Sequence, residues 1–281
     1  SEVRRILLDL KTPLPIVGYT HGSHWDPTDV FRSIHYPGLE VTDLANLLCL
    51  DRVLLPSHYL RDVLLSNVGR WQPEVANQLA EKMAVVGLPV NTHRLDAFYT
   101  EEKFSRPTIV FNHALIPSKA PEVFLDVAER ILAKQEVDIV ITRGAEDEAL
   151  KMRFQEIERR FPGRVVFGQT YSLPQYFRLL WQADFQISTA LHEGLGIATL
   201  EAMYTNNCCL LPNRCSYPEI TDGFQDVLYT STDELLDKID YFLKNEQARR
   251  KVAVELRERS LRYTPEQVSS RLAAVFSELV T

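Results

Sequence analysis

The run A-D-F-Q-I-S-T-A-L-H-E-G-L-G-I-A-T-L-E, from Ala183 to Glu201, carries an apolar segment into a helical one through a loop that holds two glycines. Ala183 to Ser188 is short, apolar and unbroken, as a buried parallel strand requires, and Ile197 to Tyr204 reads as a helix start. Gly194 and Gly196 therefore stand at a strand-to-helix turn. The first amides of a helix have no intrahelical acceptor and lie at the positive end of its dipole. The backbone of Gly194, Leu195, Gly196, Ile197 and Ala198 is thus expected to cradle a phosphate or diphosphate. Glu193 falls in the loop and Glu201 about one turn into the helix. Two carboxylates flanking an anion site can accept hydrogen bonds from the hydroxyls of two sugars.

From residue 107 onward, strand-like runs alternate with amphipathic helical segments, the pattern of a parallel sheet covered on both faces. Thr108 to Phe111, Asp138 to Thr142, Val165 to Gly168, Asp184 to Thr189 and Cys208 to Leu211 read as strands. Helices are expected over Pro121 to Gln135 and Glu146 to Phe161, with Pro121 in a first turn and Gly163 as a stop. The first hundred residues alternate too: strands over Ile16 to Thr20, Arg52 to Leu55 and Met83 to Val86, helices over Asp43 to Leu50, Ser57 to Ser66 and Pro73 to Lys82. Asn91 to Pro107 is short, polar and charged and reads as the interdomain connection. A last helix is expected over Pro265 to Leu279.

With 281 residues the chain can bury the cores of two modest domains, and a hydrophobic content of 45% with 25% charged residues excludes disorder. No apolar run approaches the ~20 residues that span a bilayer, and no signal peptide opens the chain, so a cytoplasmic location is expected. Cys49, Cys208, Cys209 and Cys215 show no C-x-x-C spacing and read as small hydrophobes in a reducing compartment. A net charge of −7 argues against broad attraction to nucleic acid. Arg159, Arg160 and Arg164, and then Arg249, Arg250, Arg257, Arg259 and Arg262, read as solvated helix faces.

The glycine loop with its paired glutamates, together with L-P-N-R-C-S-Y-P-E-I from Leu211 to Ile220, resembles the donor-binding half of the retaining GT-B glycosyltransferases of family four, whose signature is Glu-x7-Glu. S-T-A-x-H-E, G-x-A-x-L-E-A and P-N-R-x-x-Y-P-E-I look like the tRNA-queuosine mannosyltransferase branch. The likeness covers most of residues 107–245 and is thinner over residues 12–104. It implies an α/β fold of two Rossmann-like domains: a shortened amino-terminal, acceptor-side one over residues 1–104 and a nucleotide-sugar domain over residues 105–262. A terminal helix over residues 263–281 would cross back to the first domain. A naturally short first domain and a missing amino-terminal part both fit.

The same resemblance implies roles for individual residues. Glu193 would bind donor-sugar hydroxyls at the reacting face and Glu201 the nucleotide ribose. Lys119, which keeps its interval from Phe111-Asn112-His113 and precedes Pro121 and Glu122, would be the cation on the diphosphate. Where the family carries an arginine after the Asn-His pair this chain has Ala114, and Arg143 is the candidate substitute. His21, closing the strand that ends in Tyr19 and Thr20, would contact the donor sugar, with His24 as runner-up. The loop Gly168, Gln169, Thr170 and Tyr171 is expected to recognise the base. Roles for Arg214 and Tyr217 stay open between packing and chemistry, and His192 reads as structural.

Preorganised amides and cations can stabilise a leaving diphosphate, and no Asp-x-Asp stands at a strand end, so neither metal nor cofactor is expected. The acidic run Glu146-Asp147-Glu148 reads as a helix start. The expectation is a retaining, metal-independent transferase moving a hexose, mannose from GDP-mannose by resemblance, to an unidentified acceptor, with tRNA a candidate. The alternatives are a non-catalytic nucleotide-sugar-binding module, suggested by Ala114, and a tRNA-queuosine mannosyltransferase-like enzyme lacking its amino-terminal part.

Overall fold

Apolar runs of two to five residues, too short for helices, become the strands of two parallel sheets. The computed structural model describes residues 2–11, 14–29, 38–169 and 171–280. The chain divides into a first unit, which runs to Leu88 and takes in the helical residues from Glu266, and a second unit from Pro89 to Pro265.

The first unit comprises α1 (Glu2–Asp9), β1 (Val17–Tyr19), α2 (Leu39–Leu48), β2 (Arg52–Leu55), α3 (His58–Trp71), α4 (Pro73–Lys82) and β3 (Met83–Val85). Its sheet has the order β1-β2-β3, with Val17 paired to Arg52 and Val53 to Met83. Leu44, Leu47, Val53, Leu55, Leu60, Leu64, Val68 and Leu79 make the core. The Ser57 hydroxyl caps α3 by accepting from Leu60 N at 3.2 Å. This helix runs past the expected end at Ser66, because Leu60, Leu64 and Val68 recur every four residues on one buried face.

The second unit comprises α5 (Thr92–Asp96), β4 (Thr108–Phe111), α6 (Pro121–Leu132), β5 (Asp138–Ile141), α7 (Glu148–Arg160), β6 (Val165–Val166), α8 (Leu173–Gln182), β7 (Phe185–Ile187), α9 (Ile197–Tyr204), β8 (Cys208–Pro212), α10 (Tyr217–Ile220), β9 (Leu228–Tyr229), α11 (Thr232–Lys244) and α12 (Glu246–Ser260). The helix that follows, α13 (Pro265–Val280), sends Arg271 Nε to Val86 O at 2.8 Å within the first unit. The second sheet has the order β6-β5-β4-β7-β8-β9, all parallel. From β4 the chain winds outward through β5 to β6, then returns to β7 on the other side and winds out through β8 to β9. This is the doubly wound arrangement, and the crevice beyond the carboxyl ends of β4 and β7, where the direction reverses, is where such sheets bind ligands.

Local chemistry accounts for most boundaries. Asp147 caps α7 by accepting from Leu150 N at 2.8 Å, and Ser172 with Gln175 forms a capping box on α8. β6 is shorter than the expected run to Gly168, because the Phe167 ring leaves the sheet to stack on Phe154 at 3.9 Å and Gly168 takes φ 74°. The polar stretch after Asn91 contains α5, whose fully buried Leu95 offers its carbonyl to Trp181 Nε1 at 2.8 Å. Helix α9 is buried at Thr199, Leu200, Ala202, Met203 and Tyr204 and packs between α12 and β8, so it has no polar face to periodise. None of the four cysteines forms a disulfide, and Cys208 and Cys209 lie inside β8. No described helix is long and apolar enough to cross a membrane.

Two arginines depart from the solvated-face expectation. The Arg164 guanidinium donates to the carbonyls of Leu132 at 3.0 Å, Val137 at 3.1 Å and Gln135, closing the end of α6. Arg249 is buried, with its side chain 9% exposed, and pairs with Asp184 Oδ1 at 3.2 Å. Asp184 Oδ2 in turn accepts from Thr108 N at 3.0 Å, tying α12 to the starts of β4 and β7. Charge patterning alone could not separate these from exposed neighbours such as Arg250, whose partner Glu246 lies on its own helix. Replacing Arg249 by Met should strand the Asp184 carboxylate and cost about 3 kcal/mol of stability in urea unfolding.

Candidate functional site

The loops that follow β4 and β7 are stitched together at the point where the winding reverses. Leu191 N and His192 N donate to Ser118 O at 2.9 and 3.2 Å, and the Thr189 hydroxyl donates to the carbonyls of Lys119 and Ala120 at 2.9 and 3.0 Å. Ala120 sits in the left-handed region at φ 44°, which turns the chain from the 3-10 turn Pro117–Lys119 into α6. The Lys119 ammonium is thereby brought against the other loop, where Nζ donates to His192 O at 2.8 Å and to Glu193 Oε2 at 2.9 Å. Both side chains of this ion pair are largely buried, at 16% and 15% exposure. The two residues singled out in the sequence for sugar and phosphate thus lie in direct contact.

Gly196 ends the second loop and caps α9 with φ 92°, a backbone region that glycine enters without steric cost. A Cβ there would stand 3.3 Å from Glu193 Cγ and 3.5 Å from Tyr217 Cε1. No side chain caps this helix start, and Gly194, Ile197 and Ala198 keep partial exposure. Leu195 turns inward and is buried. Beneath the turn, the Tyr217 hydroxyl meets Ser188 Oγ at 2.6 Å, Ser216 Oγ donates to Glu193 O at 3.1 Å, and Tyr229 donates to Ser188 O at 2.6 Å. Tyr217, whose role the motif left open, is a fully buried prop under the glycine turn. Arg214, in the same motif, is exposed and has no such packing role.

Glu201 lies on the other flank, one turn into α9. The Tyr176 hydroxyl donates to its Oε2 at 2.7 Å, and Asn112 Nδ2 donates to Tyr176 Oη at 3.1 Å and to Ala198 O at 2.7 Å. Burial raises the Glu201 carboxyl above the usual range, opposed by the Tyr176 bond and by the positive charge of Arg143. Arg143, in the loop after β5, is exposed, and its positive charge acts on Glu201. Tyr176 is driven well above its ordinary value, first by burial and then by the Glu201 charge, and stays a hydrogen-bond donor.

Between the flanks sits a buried imidazole. Gln186, fully enclosed in β7, sends Nε2 to Asn112 Oδ1 at 3.2 Å and to His113 Nε2 at 3.0 Å. His113 Nε2 is therefore the acceptor, which assigns the proton of the neutral ring to Nδ1. Burial lowers its pKa to about 4, with Glu193 opposing the shift and Lys119 adding to it. Tyr176 and Gln186 carried no motif. The signal was a lone amide in the apolar strand run and a tyrosine one turn past a capping box.

Gly168 is left-handed, Gln169 and Tyr171 line a cavity of ≈ 380 Å³ along α8, and Thr170 lies outside the described residues. That cavity reaches Thr108 and Asp138 at the starts of β4 and β5, the opposite end of the sheet from the glycine turn. His21 belongs to the first unit, exposed just beyond β1, its ring 4.8 Å from that of Tyr19. His24 Nδ1 lies 3.4 Å from Asp43 Oδ2, which also accepts from Ser23 Oγ at 2.9 Å and holds this loop. Among the described residues no group of three or more His, Cys, Asp or Glu side chains could hold a metal ion.

Gly196→Ala is expected to lower stability by about 1–2 kcal/mol, the strain of a left-handed non-glycine residue, and to push Glu193 off Lys119, checked by denaturant unfolding and a crystal structure. His113 makes stability pH-dependent. Its folded pKa of about 4 lies below the ordinary histidine value of 6.5, so the unfolded chain binds the proton first and this contribution, intact above 6.5, is lost as pH falls toward 4. Glu201, raised on folding, works in the opposite sense, so the test compares the wild type with His113→Gln. The variant should lose less stability over that pH range.

Comparison with known proteins places these features in a lineage. A family model described as glycosyl transferases group 1 matches residues 96–259. It replaces the family-four assignment expected from Glu-x7-Glu: that spacing records a turn and one helical pitch, a geometric demand that does not by itself separate families. A tRNA-queuosine alpha-mannosyltransferase from Drosophila melanogaster is 26% identical over 226 residues, 74% of this chain, and the chain spans only 59% of that protein. A glycosyltransferase structure from Rickettsia africae superposes with TM-score 0.74 at 14% identity, covering 100% of this chain and 80% of that one. Sucrose-phosphate synthase from Thermosynechococcus elongatus does so with TM-score 0.71 at 14% identity, covering 99% and 71%. The fold is thus of GT-B type with two Rossmann-like sheets, and the chain belongs to the glycosyl transferases group 1 family.

Proposed function

We propose that this chain transfers a hexose from a nucleotide-sugar donor, with retention of configuration and without a metal. The observation that carries the reading is the Lys119–Glu193 pair at the uncapped start of α9, with Glu201 held on the opposite flank. In this reading the amides from Gly194 to Ala198 and the Lys119 ammonium take the charge that develops on the leaving diphosphate. Glu193 accepts from the sugar hydroxyls, and its ion pair with Lys119 couples sugar and phosphate positions. Glu201 accepts from the ribose. Arg143 supplies the second cation that Ala114 does not. Mannose and GDP are the donor components that the name of the Drosophila relative favours, and tRNA is the acceptor class it favours. Four cysteines that form no disulfide suit action in the cytoplasm.

A second reading is favoured by one residue. Ala114 stands where the resembling branch has a cation, so a donor-binding module without turnover is the alternative. Calorimetric titration of the full chain with GDP-, UDP- and ADP-sugars tests the first step, and absence of any binding overturns both readings. Release of nucleoside diphosphate separates them. Glu201→Ala should weaken nucleotide binding and Glu193→Ala should mainly reduce turnover, each by about 1.5–3 kcal/mol for a lost charge-assisted bond. Equal effects on both parameters in both variants would show that this assignment of roles is wrong.

A further inference from the structure

The hydrogen bonds that lead to Glu201 have a fixed polarity. Gln186 Nε2 donates to Asn112 Oδ1 at 3.2 Å, which orients the Asn112 amide. Asn112 Nδ2 then donates to Ala198 O at 2.7 Å, in the first turn of α9, and to Tyr176 Oη at 3.1 Å. The Tyr176 oxygen already accepts, so its proton points to Glu201 Oε2, 2.7 Å away. A chain of donors from a fully buried strand residue thus ends on one oxygen of one carboxylate. Among the described residues Glu201 Oε1 makes no hydrogen bond or ion pair. One oxygen is committed to the protein, and the bond that holds it restricts how the other can turn.

We propose that Tyr176 is a positioning residue that, by engaging Oε2, aims Oε1 at a ribose hydroxyl and so sets the preference for a ribonucleotide over a deoxyribonucleotide. The inference rests on the donor-site reading above. Tyr176 touches no ligand in this scheme. Without its hydroxyl the Glu201 carboxylate regains rotation about its last torsion, and a single ribose bond no longer selects one geometry.

The test titrates the full chain with GDP, UDP and ADP and with the 2′-deoxy form of each. The wild type should bind its preferred ribonucleotide about tenfold or more tightly than the deoxy form, the effect of one bond to a charged acceptor. Tyr176→Phe should weaken the ribonucleotide by about that factor and leave the deoxy form within about twofold, so that the preference collapses. Asn112→Ser, which releases the Tyr176 hydroxyl without touching Glu201, should show the same collapse in smaller measure and serves if Tyr176→Phe does not fold. A merely structural tyrosine would weaken both forms equally, and that result, or a preference that survives in both variants, overturns the proposal. A wild type that binds ribose and deoxyribose forms alike removes this inference and leaves the anion site standing. A wild type that binds none of the six probes removes the donor-site reading itself.

Discussion

The loop after β7 keeps its shape because the loop after β4 supplies its missing hydrogen-bond partners. Ser118 O takes two amide protons from Leu191 and His192, and Thr189 returns a proton to the carbonyls that precede α6. The Lys119–Glu193 ion pair closes the seam from above. An ion pair this enclosed is sustained only when further hydrogen bonds share the desolvation cost, and the bond from Lys119 to His192 O is one of them. The glycine turn, the start of α9 and the orientation of both glutamates follow from that seam.

Below it the second unit holds a polar core at the one place where a doubly wound sheet tolerates it. Gln186, Asn112 and His113 are buried, and the half-buried phenol of Tyr176 joins them near the carboxyl ends of β4 and β7. They bond mainly to one another, with Gln186 Oε1 buried and without a partner among the described residues, and the network leaves little freedom to rearrange. The energetic consequences run in opposite directions. Burial keeps His113 neutral and raises Glu201, so the neighbourhood resists charge except where a cation, Lys119 or Arg143, stands by. A ligand carrying negative charge and hydroxyl donors complements such a surface.

Much of this was readable in the linear chain. Short apolar runs with periodic helices between them determine parallel strands, since an unbroken Val/Ile/Phe run can be buried only when both faces are covered. Thr108–Phe111 and Arg52–Leu55 have the bounds their composition predicts, and Ile197 opens α9 directly after Gly196. The loop glutamate, the helix glutamate and the lysine of the preceding βα loop could be named from spacing and resemblance because each is a local demand of turn, cap or helix pitch.

What tertiary structure alone decided is which side chains meet. Sequence distance hides that Lys119 reaches Glu193, that Tyr176 from α8 holds Glu201, and that Arg249 and Arg164 are interior groups while neighbouring arginines are not. Local propensity acts through a residue's own backbone and near neighbours, and so determines elements and turns. Hydrogen-bond polarity and burial depend on partners 25 to 74 positions away, which only the winding of the sheet brings within reach.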